Sequence, residues 1–362
     1  MATRTATWEY RDRFTDGFAR TYFRAFAGCV VSSIGVGTYL GDPTDDADED
    51  YHAAIVEALE SGINVVDTAI NYRCQRSERV VGRALADADP AREAVLVATK
   101  GGFVPFDGDR PAEPGRYVRE EYVDPGIVDP ADLVAGQHCI APGFLEDQLD
   151  RSLDNLGVET MDLYYVHNPE TQLKERSREE VYDQLEATFT RLEERAAAGD
   201  IRHYGVATWD AFRVPADHDQ HLALSEVVDR ARAAAEAAGN SATHFRAVQL
   251  PFNVYMADAF TVPSQEDPNG PHSVLQFAAE SGLDVFTSAS IMQGRLAEEM
   301  PAEVEAKLAG ETRAHRAINF ARSAPGVTCS LVGMGSPEHV AENVAAGTFE
   351  PLGAEAFDAV FA

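Results

Sequence analysis

The stretch "INVVDTAINYRCQRSERVVGRAL" (residues 63–85) contains one complete strand-to-helix step. Its apolar start predicts a buried strand that ends on Asp67, and the pattern from residue 76 onward predicts a helix. Tyr72 stands between the two, five residues beyond the carboxylate. Both side chains are types that carry chemistry, so this step indicates where a site is built.

The same step repeats along the chain. Eight short runs rich in valine and isoleucine predict strands at residues 30–37, 63–67, 94–100, 161–167, 203–208, 245–250, 283–289 and 327–333. Helical patterns follow them at residues 50–61, 76–88, 142–156, 177–198, 223–239, 272–281, 312–323 and 336–346. This alternation predicts an α/β fold in which parallel strands, joined by right-handed crossovers, close into a (β/α)8 TIM barrel.

An open, doubly wound sheet is the structural alternative. The early glycine cluster "GVGTYLG" (35–41) does not open a helix, as a dinucleotide-binding fingerprint must, and this favours the barrel. No linker divides the chain. We therefore predict one barrel domain over residues 29–362, preceded by an N-terminal extension (1–28) that plugs the bottom of the barrel. The Pro-, Gly- and Asp-rich residues 101–141 form a long loop, and loops of that length are usually functional or disordered.

The charge of the chain limits its partners. A formal net charge of −30 would repel nucleic acid and anionic lipid surfaces, so we predict neither a nucleic-acid nor a membrane partner and expect a small-molecule substrate. The acidic residues are spread along the chain without a long block of like charge, which is typical of a halophilic protein's solvated surface rather than of an interaction tail.

Neither a signal segment nor a metal site is predicted. The N-terminus lacks an apolar core segment, and no run approaches the roughly 18 apolar residues of a membrane span, so we expect a cytoplasmic protein. The four cysteines form no C-x-x-C pair. His218 and His221 lie in "DHDQH" (217–221), whose side chains could bind a divalent metal. We interpret this segment as a solvated loop and predict no metal.

Polar residues end three neighbouring predicted strands. Asp67, Lys100 and His167 end the second, third and fourth strands, and in such a barrel these ends build the active site. Tyr72 follows the second strand. We expect Asp67 to keep Lys100 charged, the ammonium to lower the pKa of Tyr72, and His167 to polarise a carbonyl.

Each of these residues also has a structural interpretation. Asp67 would then cap a turn, Tyr72 would only pack, and His167 would be a strand-end histidine with its hydrogen bonds satisfied. Lys100 argues against this interpretation. The chain has only three lysines, Lys100, Lys174 and Lys307, and one of them directly follows "VLVAT". A compact ammonium that tunes a neighbouring pKa cannot be replaced by arginine.

The motifs resemble those of the aldo-keto reductases, NAD(P)H-dependent (β/α)8 oxidoreductases. "DTAINYRCQRSERVVGRAL" is similar to the family's D-T-A-x-x-Y-G…S-E-x-x-x-G-x-A-L signature. The resemblance continues in the family's order, over residues 30–346, through "VATKGG" (97–102), "LDNLGVETMDLYYVHNP" (153–169), "GDIRHYGVAT" (199–208), "VQLPFN" (248–253) and "VGMGSPEHVAENV" (332–344). It implies a catalytic tetrad of Asp67, Tyr72, Lys100 and His167, with Tyr72 as the general acid in reduction.

The resemblance also implies a cofactor site. After strand eight, two glycines lead into a helix with Ser336 as its N-cap, where free N–H groups attract phosphate. Gly37 and Thr38 would approach the nicotinamide, and Gln249 would hold its carboxamide. The cofactor positions are Gly37, Thr38, Thr208, Gln249, Ser288, Ile291, Gly294, Gly333, Gly335, Ser336, Glu342 and Asn343.

Several positions depart from the family pattern. Ala207 and Thr208 replace a Ser-Asn pair, Ser288 replaces a tyrosine that stacks on nicotinamide, and Arg73 replaces the glycine of "Y-G". Gly335 stands where NADP-preferring relatives often carry a cation for the 2′-phosphate. We therefore expect NAD or NADP with NAD favoured. Other loops offer Arg73, Arg295 and Arg313 as replacement cations.

Together these observations predict an NAD(P)-dependent oxidoreductase that interconverts a carbonyl (aldehyde, ketone or aldose) and an alcohol. Two alternatives from other classes stay open. One is a nucleotide-binding regulatory barrel that keeps the tetrad but acts through partners. The other is a lyase that uses Lys100 as a Schiff-base amine.

Overall fold

A computed structural model describes residues 1–268 and 270–361. Eight parallel strands form a closed barrel in which each strand pairs with its neighbours in the sequence and the eighth returns to the first. This confirms the predicted (β/α)8 fold. The strands are β1 (Ile34–Gly37), β2 (Val65–Asp67), β3 (Leu96–Gly101), β4 (Met161–His167), β5 (Ile201–Ala207), β6 (Phe245–Pro251), β7 (Asp284–Ser288) and β8 (Val327–Gly333).

A helix follows each strand, close to where the periodicity predicts it. Caps fix several of the ends: Ser177 and Glu180 form a reciprocal capping box, and Gly157 ends a helix in the left-handed conformation. The helices are α1 (Asp45–Glu60), α2 (Arg76–Asp87), α3 (Pro142–Leu156), α4 (Arg178–Ala198), α5 (Leu224–Ala237), α6 (Val274–Glu280), α7 (Arg313–Ser323) and α8 (Pro337–Ala345).

Short elements decorate the barrel. The helical ones are Arg4–Asp12, Asp258–Thr261, Arg295–Glu298, Ala302–Glu305 and Ala354–Asp358, with 3-10 turns at Tyr72–Gln75, Arg92–Ala94, Pro169–Lys174 and Ala346–Thr348. A small antiparallel hairpin pairs Gln265–Asp267 with Gly270–His272. Within the described ranges, no helix has the length and apolar character needed to cross a bilayer.

An antiparallel hairpin precedes the barrel and differs from the prediction. Phe23–Phe26 pairs with Cys29–Ser32, so residues 30–32 belong to this hairpin and not to the first barrel strand. Phe26 meets Phe286 edge to face, with ring centroids 5.5 Å apart, and packs in the core cluster of the barrel strands. The stretch 30–37 contains neither proline nor an Asn-Gly or Asp-Gly pair to mark a turn, which is why no break was predicted at residue 33.

The long segment 101–141 is ordered in the structure. It contains a short helix (Pro114–Val118), a π-helical turn (Arg119–Val123) and a 3-10 turn (Pro130–Asp132). Tyr122 is fully buried and its ring lies 6.0 Å from that of Phe144 on α3. The segment therefore packs along the side of the barrel.

Candidate active site

A cavity of about 930 Å³ opens at the carboxyl ends of the strands. Asp67, Tyr72 and His167 line it, and Lys100 lies beneath them with 1% of its surface exposed. The three strand ends and the following turn thus bring the four predicted catalytic residues together. β2 pairs with β3 and β3 with β4, so these strand ends are adjacent.

Lys100 is held as a buried ammonium. Its Nζ forms an ion pair with Asp67 and donates a hydrogen bond of 2.8 Å to the carbonyl oxygen of Thr68. It also lies 4.9 Å from the centroid of the Tyr72 ring. Burial alone would lower the pKa of Lys100, but Asp67 and Tyr72 outweigh burial and raise it. The side chain is therefore charged at neutral pH.

The second oxygen of the Asp67 carboxylate also has a partner. Gln249 on β6 donates a hydrogen bond of 2.8 Å from Nε2 to Oδ2 of Asp67. Burial raises the pKa of Asp67, while Lys100 and this amide oppose the rise. The carboxylate is thereby fixed from two sides.

Tyr72 is half-buried and differs from the prediction in its acidity. Its hydroxyl interacts with Lys100, and its ring meets that of Tyr39 with centroids 5.0 Å apart. Burial raises the pKa of Tyr72, and Lys100 opposes this only in part. The ammonium acts in the expected direction, but the net pKa of Tyr72 is raised and not lowered, because desolvation of the phenolate outweighs the nearby charge. The phenol is protonated at neutral pH.

His167 is a neutral imidazole. It is 9% exposed, and the ring of Phe103 packs edge-on with centroids 5.1 Å apart. Burial lowers the pKa of His167 well below its usual value, and the charge of Lys100 adds to this. Its Nδ1 has no hydrogen-bond partner among the residues that the structure describes. The ring lies 6.0 Å from that of Tyr72.

A buried histidine behind His167 was not predicted. Gln172 donates a hydrogen bond of 2.7 Å to Nδ1 of His138, which leaves the proton on Nε2. That Nε2 in turn donates to the carbonyl oxygen of His167 at 2.7 Å. Gly102 makes room for this contact, because a Cβ there would lie 2.8 Å from the same oxygen. In the sequence, the glycine pair that follows Lys100 was the one sign that another group approaches the backbone closely here.

The predicted cofactor positions gather on the wall of the same cavity. Eleven of the twelve line it: Gly37, Thr38, Thr208, Gln249, Ser288, Ile291, Gly294, Gly333, Gly335, Glu342 and Asn343. Ser336 is absent from the wall and caps α8, where its side chain accepts from the N–H of His339. Of the residues in the segment 101–141, Phe103 alone belongs to the described wall.

The wall can accommodate a dinucleotide. Apart from its chain neighbours, no described residue has an atom within 4 Å of the place where a Cβ on Gly333 would stand, so the end of β8 borders open space. Ser290, which sequence reasoning missed, also lines the cavity; it is 1% exposed and its hydroxyl has no described partner. Only its neighbour Ser288 had been singled out. These features fit a ligand with several hydrogen-bonding groups.

The end of the cavity near α8 is acidic. Asp50, Glu342 and His339 lie on the wall, and the wall residues of the described chain include neither lysine nor arginine. Arg313 binds the carbonyl oxygen of Glu298 and the carboxylate of Glu305. The guanidinium of Arg295 lies 6.0 Å over the ring of Tyr255, and Arg73 is buried in an ion pair with Asp48.

The segment "DHDQH" is only partly solvated, contrary to our interpretation. His218 is exposed, but His221 is buried and its Nε2 lies 2.8 Å from the carbonyl oxygen of Ser264. The second imidazole therefore serves the packing of the loop after β5.

A family model described as the aldo/keto reductase family matches residues 33–361. Among curated proteins, the NADH-specific methylglyoxal reductase of Escherichia coli (strain K12) is 28% identical over 187 residues, which cover 50% of this chain and 50% of that protein. The uncharacterized oxidoreductase YqkF of Bacillus subtilis (strain 168) is 26% identical over 179 residues, covering 49% of this chain and 45% of that protein. The chain spans about half the length of these relatives.

Solved structures share the fold. An aldo-keto reductase of Bacillus halodurans in its holo form matches with a TM-score of 0.64 at 20% identity, covering 94% of this chain and 96% of that one. An aldo-keto reductase of Klebsiella pneumoniae, in complex with NADP and acetate, matches with a TM-score of 0.62 at 18% identity, covering 94% of both chains. Since the family model spans nearly the whole sequence, the chain belongs to the aldo/keto reductase family.

Proposed function

We propose that the protein is an NAD(P)-dependent oxidoreductase that interconverts a carbonyl compound and an alcohol. The observation that carries this proposal is the buried chain from Asp67 through the Lys100 ammonium to the Tyr72 hydroxyl, beside the neutral His167. These groups supply a proton donor and a hydrogen-bonding imidazole at one end of a cavity large enough for a dinucleotide and a small substrate.

A bound nicotinamide would supply the hydride in reduction and accept it in oxidation. In reduction, His167 orients the carbonyl oxygen, and Tyr72 gives that oxygen its proton as the carbonyl carbon gains the hydride. The Lys100 ammonium stabilises the phenolate that is left, and Asp67 keeps the ammonium in place. In oxidation the phenolate takes the proton back from the alcohol.

We infer that NAD is the preferred cofactor. The 2′-phosphate of NADP requires a cation, whereas Gly335, Asp50 and Glu342 line the end of the cavity near α8. The similar E. coli protein is named as NADH-specific, which supports this choice, while the similar K. pneumoniae structure holds NADP. The acidic wall of this chain supports NAD as the preferred cofactor.

We propose a small, uncharged substrate with hydroxyl groups, such as an aldose or hydroxyketone. Beside Tyr72 and His167, the cavity is lined by two amides and three aromatic rings: Asn71, Asn168, Tyr39, Phe103 and Trp209. The Oδ1 atom of Asn71 is buried without a partner in the described structure, so it is available to a hydroxyl. Among the described wall residues there is no lysine or arginine to pair with an acidic substrate.

The lyase alternative is disfavoured by the state of Lys100. A Schiff base needs a neutral, accessible amine, but this ammonium is buried, and its pKa is raised. Its hydrogen bonds go to Asp67 and Thr68. The amine is therefore neither free nor neutral.

A turnover screen tests the proposal. Aldehydes, ketones, aldoses and alcohols are offered with each nicotinamide cofactor, in dilute and concentrated salt, and oxidation or reduction of the cofactor is followed by absorbance. We expect turnover of neutral hydroxylated carbonyls. Nucleotide binding without turnover of any compound would instead favour the regulatory barrel, and borohydride trapping of substrate on Lys100 would favour the lyase.

A further inference from the structure

The turn after Tyr72 has an unusual backbone. Arg73 (φ 47°, ψ 40°), Cys74 (φ 56°, ψ 51°) and Gln75 (φ 68°, ψ −9°) all lie in the left-handed region. None of them is glycine, although residues with a Cβ adopt this conformation at a cost. Three such residues in succession persist only where side-chain contacts hold them.

Arg73 joins this turn to the connection between β1 and α1. Its side chain is 1% exposed and forms an ion pair with Asp48. The same guanidinium donates hydrogen bonds of 3.1 Å to the carbonyl oxygen of Asp42 and 3.4 Å to that of Thr44. One buried cation therefore binds the whole connection between β1 and the start of α1.

Gln75 and Cys74 hold the opposite side. Gln75 donates a hydrogen bond of 3.1 Å to the carbonyl oxygen of Phe106, and the carbonyl oxygen of Cys74 accepts one of 3.0 Å from Gly108. These partners lie in the segment 101–141. The turn is thus anchored at both ends, and Arg73 alone of the three reaches the β1–α1 connection by a hydrogen bond.

The connection that Arg73 holds is part of the cavity wall. Gly41 and Tyr51 both line the cavity. The guanidinium lies 5.0 Å over the ring of Tyr51, and a Cβ on Gly41 would stand 3.6 Å from Nε of Arg73. The hydroxyl of Tyr51 donates to the carbonyl oxygen of Leu40 at 2.8 Å. Arg73 therefore contacts the wall directly and is joined covalently to Tyr72.

We infer that Arg73 is a positioning residue that couples cofactor binding to the placement of the proton donor. It holds residues 40–51 at the cofactor cavity and the turn of Tyr72 in one arrangement. This inference rests on the proposed function and goes beyond it, since it assigns a role to a position where the family's signature has glycine.

The variant Arg73→Gly separates positioning from a local structural role. Glycine suits the left-handed backbone, so it relieves strain at this position while removing the guanidinium. If Arg73 only supported the turn, the folded variant would keep its kinetics. Positioning predicts that the dissociation constant for NADH rises about tenfold and that kcat falls, which is within the range typical of coupling between sites.

Arg76→Ala is the matched control. Arg76 pairs with Asp45 and with the same Asp48, but it does not belong to the described cavity wall. We expect this variant to keep both the NADH dissociation constant and kcat near the wild-type values. A thermal melt of each variant shows whether it is folded.

A second variant keeps the test decisive. If Arg73→Gly does not fold, Arg73→Lys keeps the charge but presents its donors from a single nitrogen instead of from the separate nitrogens of a planar guanidinium, and it should weaken NADH binding by a smaller factor. The inference is overturned if folded Arg73→Gly keeps the NADH affinity and the kcat of wild type. If Arg73→Gly is unfolded, the same result in Arg73→Lys overturns it. If wild-type protein binds NADH but turns over no substrate, the proposed function fails, whereas the affinity comparison still decides the role of Arg73.

Discussion

Gln249 on β6 donates its amide hydrogen across the barrel to Oδ2 of Asp67 on β2, at 2.8 Å. Lys100 occupies the other oxygen of the same carboxylate, so one residue of the cavity wall stabilises the charged pair below it. This residue therefore helps to hold the buried ion pair of Asp67 and Lys100 in place.

Replacing this amide should destabilise the protein. Gln249→Leu leaves Oδ2 of Asp67 buried without its donor, and we expect the free energy of unfolding to fall by about 1–3 kcal/mol. Urea denaturation measures the change. Gln276→Leu on the exposed side of α6 is the control, and it should stay within about 0.5 kcal/mol of wild type. Equal stability of the two variants would show that the contact with Asp67 has no energetic weight.

Buried histidines should make the protein acid-sensitive. Burial lowers the pKa of His138 and of His203 to about 4. The unfolded chain therefore binds more protons than the folded one between pH about 4 and pH about 6.5, the ordinary pKa of histidine. The stability is complete above this window and is lost as the pH falls through it.

Unfolding free energies measured at neutral pH and at pH about 5 test this linkage. The loss between the two conditions should be smaller in His138→Gln, because the titrating imidazole is gone. His218→Gln is the control, since His218 is exposed. An equal loss in wild type and His138→Gln would show that His138 does not contribute to the acid sensitivity.

The two directions of the reaction should respond to pH in opposite ways. Burial raises the pKa of Tyr72, so the phenol is protonated at neutral pH and ready to act as an acid. Reduction should be constant near neutrality and fall in alkaline buffer, whereas oxidation should accelerate as the phenolate forms. The measurement is kcat against pH in both directions. A reduction rate that climbs with alkalinity would contradict the assigned role.

The cofactor preference should follow the charge of the wall. We expect wild-type protein to favour NAD, and a tenfold preference for NADP, about 1.4 kcal/mol, would contradict this. Gly335→Arg should shift the preference toward NADP, because a Cβ at Gly335 meets no other atom closer than 3.8 Å. Gly353→Arg adds the same charge away from the cavity wall and should leave the NAD/NADP ratio unchanged.

The net charge of −30 predicts that folding needs concentrated salt. Salt screens the repulsion among the carboxylates, although it also weakens ion pairs such as those of Arg230 with Glu179, Asp183, Glu186 and Glu226. Circular dichroism across a salt series measures the balance. A fully native circular dichroism spectrum in dilute buffer would contradict the prediction and would show that local ion pairs already offset the repulsion among the carboxylates.

The barrel was predictable because each of its strands is an apolar run followed by a helical pattern. Residues 30–37 carry no clear turn signal, so residues 30–32 were predicted as part of the barrel strand and not of the hairpin. The helix Pro114–Val118 is only 5 residues long, too short for its period to show, and the segment 101–141 therefore looked like a plain loop.

The proposed catalytic cluster was also predictable, because Asp67, Lys100 and His167 lie at the ends of neighbouring strands. The residues that support this cluster could not be predicted from the sequence. His138 reaches His167 from 29 positions away, and the contacts of Arg73 depend on how the β1–α1 connection folds. The acidity of Tyr72 was predicted in the wrong direction, since desolvation depends on tertiary packing that a motif does not show.

The most direct test of the central claim is the turnover of Tyr72→Phe on an accepted carbonyl substrate, together with its affinity for NADH. The variant loses the proton donor but keeps the ring between Tyr39 and His167. We predict that kcat falls roughly 10²–10⁴-fold while the NADH dissociation constant stays near that of wild type. Near-wild-type kcat in this variant would contradict the assignment of Tyr72 as the general acid.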